Sequence, residues 1–331
     1  LPTAFLDFLS NNGVDPSVYL PRYIRLKPGI PEIESEIGCK LEPVLWLPGF
    51  FSIPQQAQIA SSEAYRKGKI YGMDAASGAA VVALDISPGE HVLDLCAAPG
   101  AKLCMLADLL GRSGTLTGID IAKHRLAACR TMLQKYGLED CCRLLVADGT
   151  SVFLLPLKYG EWTSRRTRKE RRDARKAEPE LIFYGKCSGI VGLRKASLGY
   201  DKVLVDAECT HDGSIKHICK FEQWGWDTLE RRLLDVERIN SITHLQLQLL
   251  RNGFRLLKTG GTLVYSTCSL TTAQNEDVLE QFLSKNPDAE LQEIESAKHW
   301  PCKSGHIQFT LRFDPLTSKT SGLFIARIVK L

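Results

Sequence analysis

After about residue 70, short continuous apolar runs alternate with stretches in which apolar residues recur at helical spacing. This alternation predicts a fold of strands and helices. Short apolar runs such as HVLDL at 91–95 and KVLVDA at 202–207 are typical of buried strands. Longer stretches, for example 122–137, place apolar residues at helical spacing between such runs. This order predicts an α/β fold with a parallel, doubly wound, Rossmann-like sheet.

The predicted elements follow one another closely through most of the chain. In order, they are an amphipathic helix at 77–86, a strand at 91–95, a helix at about 101–111, a strand at 116–120, a helix at 122–137, a strand ending at Asp148, a strand at 202–207, a long helix at about 228–257, a helix stop and turn at 258–261, a strand at 262–269, and a helix at 273–285. Strand-like runs at 307–313 and 322–329 then predict an antiparallel hairpin at the C-terminal end of the sheet.

Two parts of the chain depart from this pattern. Residues 1–65 are mixed and punctuated by Pro, and we predict that they form a small N-terminal subdomain in front of an α/β domain at 66–331. Residues 157–199 interrupt the alternation with a basic run and a segment that contains four Gly. We predict an insertion there.

Composition indicates an ordinary globular protein, with 44% hydrophobic and 24% charged residues among 331. The sequence has neither an apolar run of membrane-spanning length nor a secretory signal, so we expect an intracellular monomer without a membrane partner. The sequence does not distinguish a nuclear from a cytoplasmic location. The chain starts at Leu1 without an initiator Met, which leaves an upstream organelle-targeting peptide possible. The eleven Cys are expected to be reduced thiols, and without paired CxxC motifs no metal site is expected.

The segment DLCAAPGAK at 94–102 ends a predicted strand and opens a helix. Ligands of open α/β sheets bind at this position, where small residues admit a close approach and the helix offers free N–H groups. The segment is neither GxGxxG nor a phosphate-binding GxxxxGK[ST], and alone it equally fits a plain turn. The predicted cofactor loop consists of Cys96, Ala97, Ala98, Pro99, Gly100, Ala101 and Lys102.

Carboxylates end the next two strands. Asp120 is placed to accept both ribose hydroxyls, and Asp148 to accept from an adenine amine. A single Asp at a strand end is often only a turn former, but three such features on consecutive strands favour a nucleoside cofactor. Because a pyrophosphate loop is missing, S-adenosylmethionine is favoured over a dinucleotide. We include Arg125 and Asp206 in the predicted cofactor site.

Two Cys also follow strand ends on the side of the cofactor loop. Cys209 lies in DAECT and Cys268 in STCS. Buried Cys residues are common and usually inert, so neither residue alone identifies a site.

The ordered motifs resemble those of the Sun-type RNA cytosine-C5 methyltransferases. They are YGMDAASGAAVVAL, DLCAAPGAK, GID, DAECT, STCS followed by QNE, and GLFIARIVK, and the resemblance covers roughly 70–331. Two Cys at these strand ends together with an AAPG loop make it specific. It implies a class I methyltransferase domain behind a small RNA-binding N-terminal region, with S-adenosylmethionine as the cofactor.

The resemblance also implies roles for four residues. Cys268 would be the thiolate that adds to carbon 6 of cytosine, which makes carbon 5 nucleophilic. Cys209 would assist loss of the C5 proton or release of the RNA. Asp206 would accept from the cytosine amino group, and Lys102 would orient the base or the cofactor.

The chain departs from the family pattern beside the second cysteine. The family usually has Pro where this chain has Glu208, and a carboxylate there disfavours a thiolate at Cys209. His211 or Glu208 could replace Cys209 as the base. The family's Gly-Lys-Thr is Ala-Lys-Leu at 101–103, and its Asp-Gly-Phe is Ser-Gly-Leu at 321–323.

The positive charge lies mainly in one segment. Residues 165–176 carry a net charge of +6 in a chain of net +4, and could contact RNA phosphates. A localisation signal or an insertion without a specific role is the alternative. The predicted RNA contacts in this segment are Arg165, Arg166, Arg168, Lys169, Arg171 and Arg172, with Arg22 and Arg25 as a second patch.

These observations leave several functions open. We expect tRNA as the substrate, with rRNA as the alternative. A non-catalytic RNA-binding protein on a methyltransferase fold is a second possibility, since Glu208 favours it whereas Asp206, Cys268 and Lys102 oppose it. A methyltransferase for small molecules or proteins would need neither two Cys nor a basic insertion.

Overall fold

The computed structural model describes residues 2–15, 17–30, 33–111, 113–156, 179–185, 198–218 and 220–331. The basic run at 165–176 lies outside these residues, and so do the six RNA contacts predicted on it. Among the described residues the strands form two sheets, one small and N-terminal and one large.

The strands are β1 Arg22–Leu26, β2 Glu42–Pro43, β3 Phe50–Ile53, β4 Ile70–Gly72, β5 His91–Asp94, β6 Thr115–Asp120, β7 Cys142–Val146, β8 Glu180–Tyr184, β9 Tyr200–Asp206, β10 Leu257–Thr267, β11 Ala289–Leu291, β12 Lys303–Ser304, β13 Leu311–Phe313 and β14 Leu323–Lys330. The helices are α1 Thr3–Asn11, α2 Glu34–Ile37, α3 Glu63–Arg66, α4 Ala75–Val82, α5 Ala101–Leu110, α6 Lys123–Tyr136, α7 Ile215–Ile218, α8 Phe221–Trp224, α9 Trp226–Leu233, α10 Val236–Leu256, α11 Glu276–Leu283 and α12 Pro315–Ser318. Within the described residues, 3₁₀ turns cover Ile59–Ser61 and Glu295–His299.

The large sheet has the order β12-β13-β14-β10-β9-β5-β6-β7-β8, and β11 also pairs with β14. The five central strands from β10 to β7 are parallel. Antiparallel strands flank them, with β14 next to β10 and β8 next to β7. This arrangement confirms the predicted α/β class and the antiparallel C-terminal strands. Because the central strands are parallel, their carboxyl ends lie along one edge of the sheet.

The small sheet has the order β2-β3-β1-β4 and is entirely antiparallel. Its last strand is Ile70–Gly72, so the domain boundary predicted after residue 65 falls inside this unit. The sheet packs against the large domain, since Tyr23 and Tyr71 belong to the same buried cluster as Leu106 of α5. Helix α1 packs separately, with Phe5 and Leu9 against the buried side chains of α7 to α9.

Several predicted boundaries were wrong for local reasons. The long helix expected at 228–257 is two helices, because Asp235 caps a new helix by accepting from the backbone N–H of Arg238 at 2.9 Å. The turn expected at 258–261 lies inside β10, where the register shifts before Thr262. Helix α4 is buried on nearly all sides rather than amphipathic. Strand β7 ends at Val146 and leaves Asp148 in the following loop.

Candidate active site

One cavity of about 620 Å³ lies at the carboxyl ends of the central strands. Neighbouring strands contribute to it in their order in the sheet, from β10 through β9, β5 and β6 to β7. The predicted residues that line it are Cys268, Cys209, Asp206, Lys102, Cys96, Ala98, Pro99, Asp120, Arg125 and Asp148. The structure therefore brings the predicted cofactor residues and the predicted catalytic residues into one cavity.

The loop between β5 and α5 approaches the cavity with little room for larger residues. Gly100 has φ +111°, and a Cβ at this position would lie 3.1 Å from the Cα of Cys129. The N–H of Ala98 donates to the carboxylate of Asp120 at 3.2 Å, and the guanidinium of Arg125 donates to the carbonyl of Ala98 at 3.2 Å. The loop is thus held against the end of β6.

The two predicted ribose and adenine acceptors also brace their own loops. The carboxylate of Asp120 accepts from the N–H of Ala122 at 2.8 Å, and that of Asp148 accepts from the N–H of Thr150 at 2.9 Å. Both carboxylates therefore form turns, as the simpler interpretation of each residue predicted. Both also line the cavity, and a carboxylate oxygen can accept more than one hydrogen bond.

An ion pair lies in the middle of the cavity. The ammonium of Lys102 donates to Asp206 at 2.8 Å and to the hydroxyl of Ser77 at 3.3 Å, and Ser266 donates to the second oxygen of Asp206 at 2.8 Å. Burial lowers the pKa of Lys102, but the Asp206 carboxylate outweighs it and raises this pKa above the ordinary value. Lys102 is therefore a cation at neutral pH.

Sequence reasoning missed Asp94, which ends β5 and interacts electrostatically with Asp206 and Lys102. Its side chain is buried, and burial together with the charge of Asp206 raises the pKa of Asp94 to about 8. The sequence did indicate Asp94, because an Asp inside the apolar run HVLDL is unusual. Nothing comparable in the sequence indicated Ser77, which accepts from Lys102.

The two cysteines meet beside a histidine. The sulfur atoms of Cys209 and Cys268 are 3.3 Å apart, and Nδ1 of His211 is 3.0 Å from the sulfur of Cys268 and 3.6 Å from that of Cys209. His211 has φ +59°, a left-handed conformation that is uncommon for a residue with a side chain. This turn points the imidazole back at the sulfur pair.

The pKa values of the two cysteine thiols are shifted in opposite directions. The hydrogen bond from Cys268, helped by the imidazole, lowers the pKa of Cys209 well below its usual value, and the same bond raises the pKa of Cys268 well above its own. The hydrogen bond to Cys209 raises the pKa of His211. These directions favour a state in which the pair keeps a single proton, and the 3.3 Å contact is short enough for this proton to pass from Cys268 to Cys209.

The QNE sequence at 274–276 fixes both cysteine loops. The side chain of Gln274 accepts from the N–H of Thr210 at 3.1 Å, next to Cys209. Asn275 donates to the carbonyl of Ser269 at 2.9 Å, next to Cys268. The buried Glu276 pairs with Arg312, which also donates to the carbonyl of Leu270.

Glu208 contributes to the cavity through an exposed side chain, while its backbone is fixed. Gln246 of α10 donates to the carbonyl of Glu208 at 2.8 Å. Gln246 itself is fully buried and also donates to Gln274 at 3.4 Å. The loop that carries Glu208 is therefore held by hydrogen bonds where the family's Pro would otherwise stiffen it.

Arg22 and Arg25, which form the second predicted RNA patch, both make contacts within the protein. Arg25 is only 5% exposed, and its guanidinium pairs with the buried Asp108 and donates to the hydroxyl of Tyr71 at 2.9 Å. This placement argues for a structural role and against a phosphate contact. Arg22 is half-buried and donates to the carbonyl of Ala57 at 2.6 Å.

In the described parts of the chain, none of the helices has the length and apolar composition of a membrane span.

Comparisons with known proteins identify the family to which the chain is similar. The family described as 16S rRNA methyltransferase RsmB/F matches residues 81–158 and 190–329. The chain is 26% identical to the tRNA (cytosine(49)-C(5))-methyltransferase of Pyrococcus abyssi, over 92% of this chain and 86% of that protein. It is 27% identical to the 28S rRNA (cytosine-C(5))-methyltransferase of Mus musculus, over 86% of this chain and 52% of that protein. The chain spans about half the length of several of its curated relatives.

Solved structures support the fold. A methyltransferase homolog from Pyrococcus horikoshii has a TM-score of 0.67 at 26% identity, over the whole of both chains. NSun6 from Pyrococcus horikoshii, solved with SFG, has a TM-score of 0.71 at 17% identity, over 99% of this chain and 98% of that one. The Pyrococcus abyssi and Mus musculus relatives are named RNA cytosine-C5 methyltransferases, as the sequence predicted, one acting on tRNA and the other on rRNA. The chain therefore belongs to the family described as 16S rRNA methyltransferase RsmB/F.

Proposed function

We propose that this chain transfers a methyl group from S-adenosylmethionine to carbon 5 of a cytosine in RNA. The observation that carries the proposal is the single cavity that joins the predicted acceptors Asp120 and Asp148 to the adjacent sulfurs of Cys209 and Cys268. Its volume of about 620 Å³ lies within the range of roughly 300–1,000 Å³ that is usual for small-molecule sites.

The residues fit the cofactor by the chemistry of their donors and acceptors. Asp120 would accept from the ribose and Asp148 from the adenine amine, while Cys96, Ala98 and Pro99 of the cofactor loop would line the remainder. SFG, present in the structure of the archaeal relative, is an S-adenosylmethionine analogue. When it is bound, S-adenosylmethionine supplies an electrophilic methyl group.

The chain's own groups prepare the base for that methyl. The Cys209 thiolate takes the proton of Cys268 across 3.3 Å, and Nδ1 of His211 can receive it in turn. The Cys268 sulfur then bonds to carbon 6, so that electron density moves to carbon 5. After carbon 5 is methylated, its proton leaves to a base of the cluster, and the sulfur–C6 bond breaks. Cys209 is the expected base, with His211 or Glu208 as alternatives.

The central ion pair orients the cytosine. Asp206 would accept from the exocyclic amine, since each of its oxygens has a second lone pair beyond its bonds to Lys102 and Ser266. Lys102 holds the Asp206 carboxylate in position by donating to it at 2.8 Å.

We propose tRNA as the substrate, because the relative that aligns over 86% of its own length is named as a tRNA enzyme. We also propose that the N-terminal sheet contacts the RNA. A groove of about 690 Å³ there is lined by Tyr19, Trp46, Lys40 and Lys319. Tyr19 is 58% exposed, and an aromatic ring beside two ammonium groups suits base stacking next to phosphates. The same segment that places Lys319 in this groove places Ser321 in the active cavity.

The nine cysteines of the described residues are reduced thiols. Because a thiolate must be available for attack, we propose a reducing compartment, the nucleus or the cytoplasm. We also propose that the chain acts as a monomer.

The experiment follows the covalent protein–RNA adduct on denaturing gels, with S-adenosylmethionine and a substrate tRNA. Cys268→Ala is expected to give neither adduct nor methylation. Cys209→Ala is expected to methylate and then retain the RNA as an adduct. If Cys209→Ala turns over instead, His211→Ala or Glu208→Ala should trap the RNA. Cys302→Ser, outside the cavity, is the control. An adduct formed by Cys268→Ala would show that the nucleophile is assigned wrongly. No methylation of tRNA or rRNA by the unmodified chain would favour a non-catalytic RNA-binding protein.

A further inference from the structure

Three side chains of the cysteine cluster form a set of soft metal ligands. The sulfurs of Cys209 and Cys268 and a ring nitrogen of His211 all lie within 4.8 Å of one another. Sequence spacing did not predict this set, because it combines a Cys-x-His from the loop after β9 with a Cys from the loop after β10. Two thiolates and an imidazole are ligands that Zn²⁺ prefers.

The distances are close to those that a tetrahedral ion requires. With Zn–S bonds of ~2.3 Å and Zn–N of ~2.05 Å, tetrahedral angles need about 3.8 Å between the sulfurs and about 3.6 Å from sulfur to nitrogen. The observed separations are 3.3 Å for the sulfur pair, and 3.0 and 3.6 Å from Nδ1 of His211 to Cys268 and Cys209. Side-chain shifts of about half an ångström would therefore suffice.

The backbone that carries the ligands is already ordered. The N–H of Gly213 donates to the carbonyl of Cys268 at 2.9 Å, which ties the two ligand loops together. Gln274 accepts from the N–H of Thr210 at 3.1 Å, between Cys209 and His211. All three ligands line the open cavity, so a fourth position can be taken by water.

We propose that Cys209, His211 and Cys268 form an inhibitory binding site for Zn²⁺, with the fourth coordination position open to the cavity. Binding replaces the thiol protons, which are released to solvent, and leaves a site with two thiolate charges against one divalent ion. The bound ion occupies the sulfur lone pair that Cys268 needs to attack a cytosine. Asp120 and Asp148 lie three and four strands away from Cys268 in the sheet, so the ion does not compete for these two acceptors.

Zinc binding is measured on the full chain in anaerobic buffer, by competition with a chromophoric zinc chelator. The unmodified chain is expected to bind one Zn²⁺ that Cys209→Ser, Cys268→Ser and His211→Asn each bind at least tenfold more weakly. His217→Asn is the matched control, because the ring centroid of His217 lies 5.2 Å from that of His211 but the residue is outside the ligand set. Cobalt provides a second measurement, since Co²⁺ should show thiolate charge-transfer and tetrahedral absorption bands that the three variants lose.

Equal zinc affinity in the unmodified chain and all three variants would overturn the site, and so would a loss caused by His217→Asn alone. Equal far-ultraviolet circular dichroism spectra establish that the variants fold, and Cys209→Ala replaces Cys209→Ser if the latter does not. Only the inhibition rests on the proposed function. If the chain binds zinc at this cluster and methylates no RNA, the proposed function fails and the site stands. If it methylates RNA equally with and without zinc, the inhibition fails alone.

Discussion

Replacement of Arg25 distinguishes a structural role for this residue from a role in RNA contact, and it is the sharpest test of the fold. Its guanidinium joins β1 of the N-terminal sheet to Asp108 of α5, the helix that also carries Lys102. The side chains of Arg25 and Asp108 are 6% and 4% exposed. Arg25→Met keeps most of the apolar stem but leaves the Asp108 carboxylate buried without its cation.

The expected loss of stability is large. Removal of one partner from a buried ion pair costs about 3–5 kcal/mol, because the remaining charge stays desolvated. A domain of this kind has about 5–15 kcal/mol of unfolding free energy in total. Arg25→Met/Asp108→Leu removes both charges and is expected to recover most of the loss. Arg22→Met is the matched control on the same strand, and it gives up a half-buried bond to Ala57 worth about 1 kcal/mol.

Urea unfolding followed by circular dichroism gives these free energies, and RNA titration at several salt concentrations tests the alternative role. The slope of log affinity against log salt should be the same for the double variant and the unmodified chain. A lost phosphate contact would reduce this slope by about 0.7–0.9. The structural role is refuted if Arg25→Met costs no more than Arg22→Met, or if the double variant shows that reduced slope.

Two further substitutions test other parts of the molecule. Burial raises the pKa of Asp94 to about 8, so this group contributes stability that is fully present below its ordinary pKa of 3.8 and is lost as the pH rises through about 8. Asp94→Asn should therefore flatten the decline in unfolding free energy between pH 5 and pH 9. An unchanged decline would contradict the buried protonation of Asp94. Tyr19→Ala should weaken tRNA binding severalfold in a filter-binding assay while calorimetry gives the same S-adenosylmethionine affinity, and unchanged tRNA affinity would remove the groove from the RNA interface.

The sequence predicted the central sheet because its strands are buried on both sides and are therefore mainly apolar, as in KVLVDA at 202–207. It failed where a local effect competes with periodicity. Asp235 ends one helical stripe and starts another without a change in spacing, and a cap of this kind is visible in sequence only as a single Asp. Strand β4 was missed because three residues are too few for a pattern, although their pairing with β1 fixes the extent of the N-terminal sheet.

The cysteine cluster marks the limit of such prediction. Neighbouring parallel strands end together, and Ser266 pairs with Asp206, so Cys268 lies two residues and Cys209 three residues past paired positions. That register makes the approach of the two loops predictable once the strand order is known. The contact of the sulfurs depends on more: the left-handed turn at His211, and the QNE side chains that hold each loop. Motifs therefore predict which residues share the cavity, whereas the proton sharing and the metal-ligand geometry arise from backbone conformations that the sequence does not display.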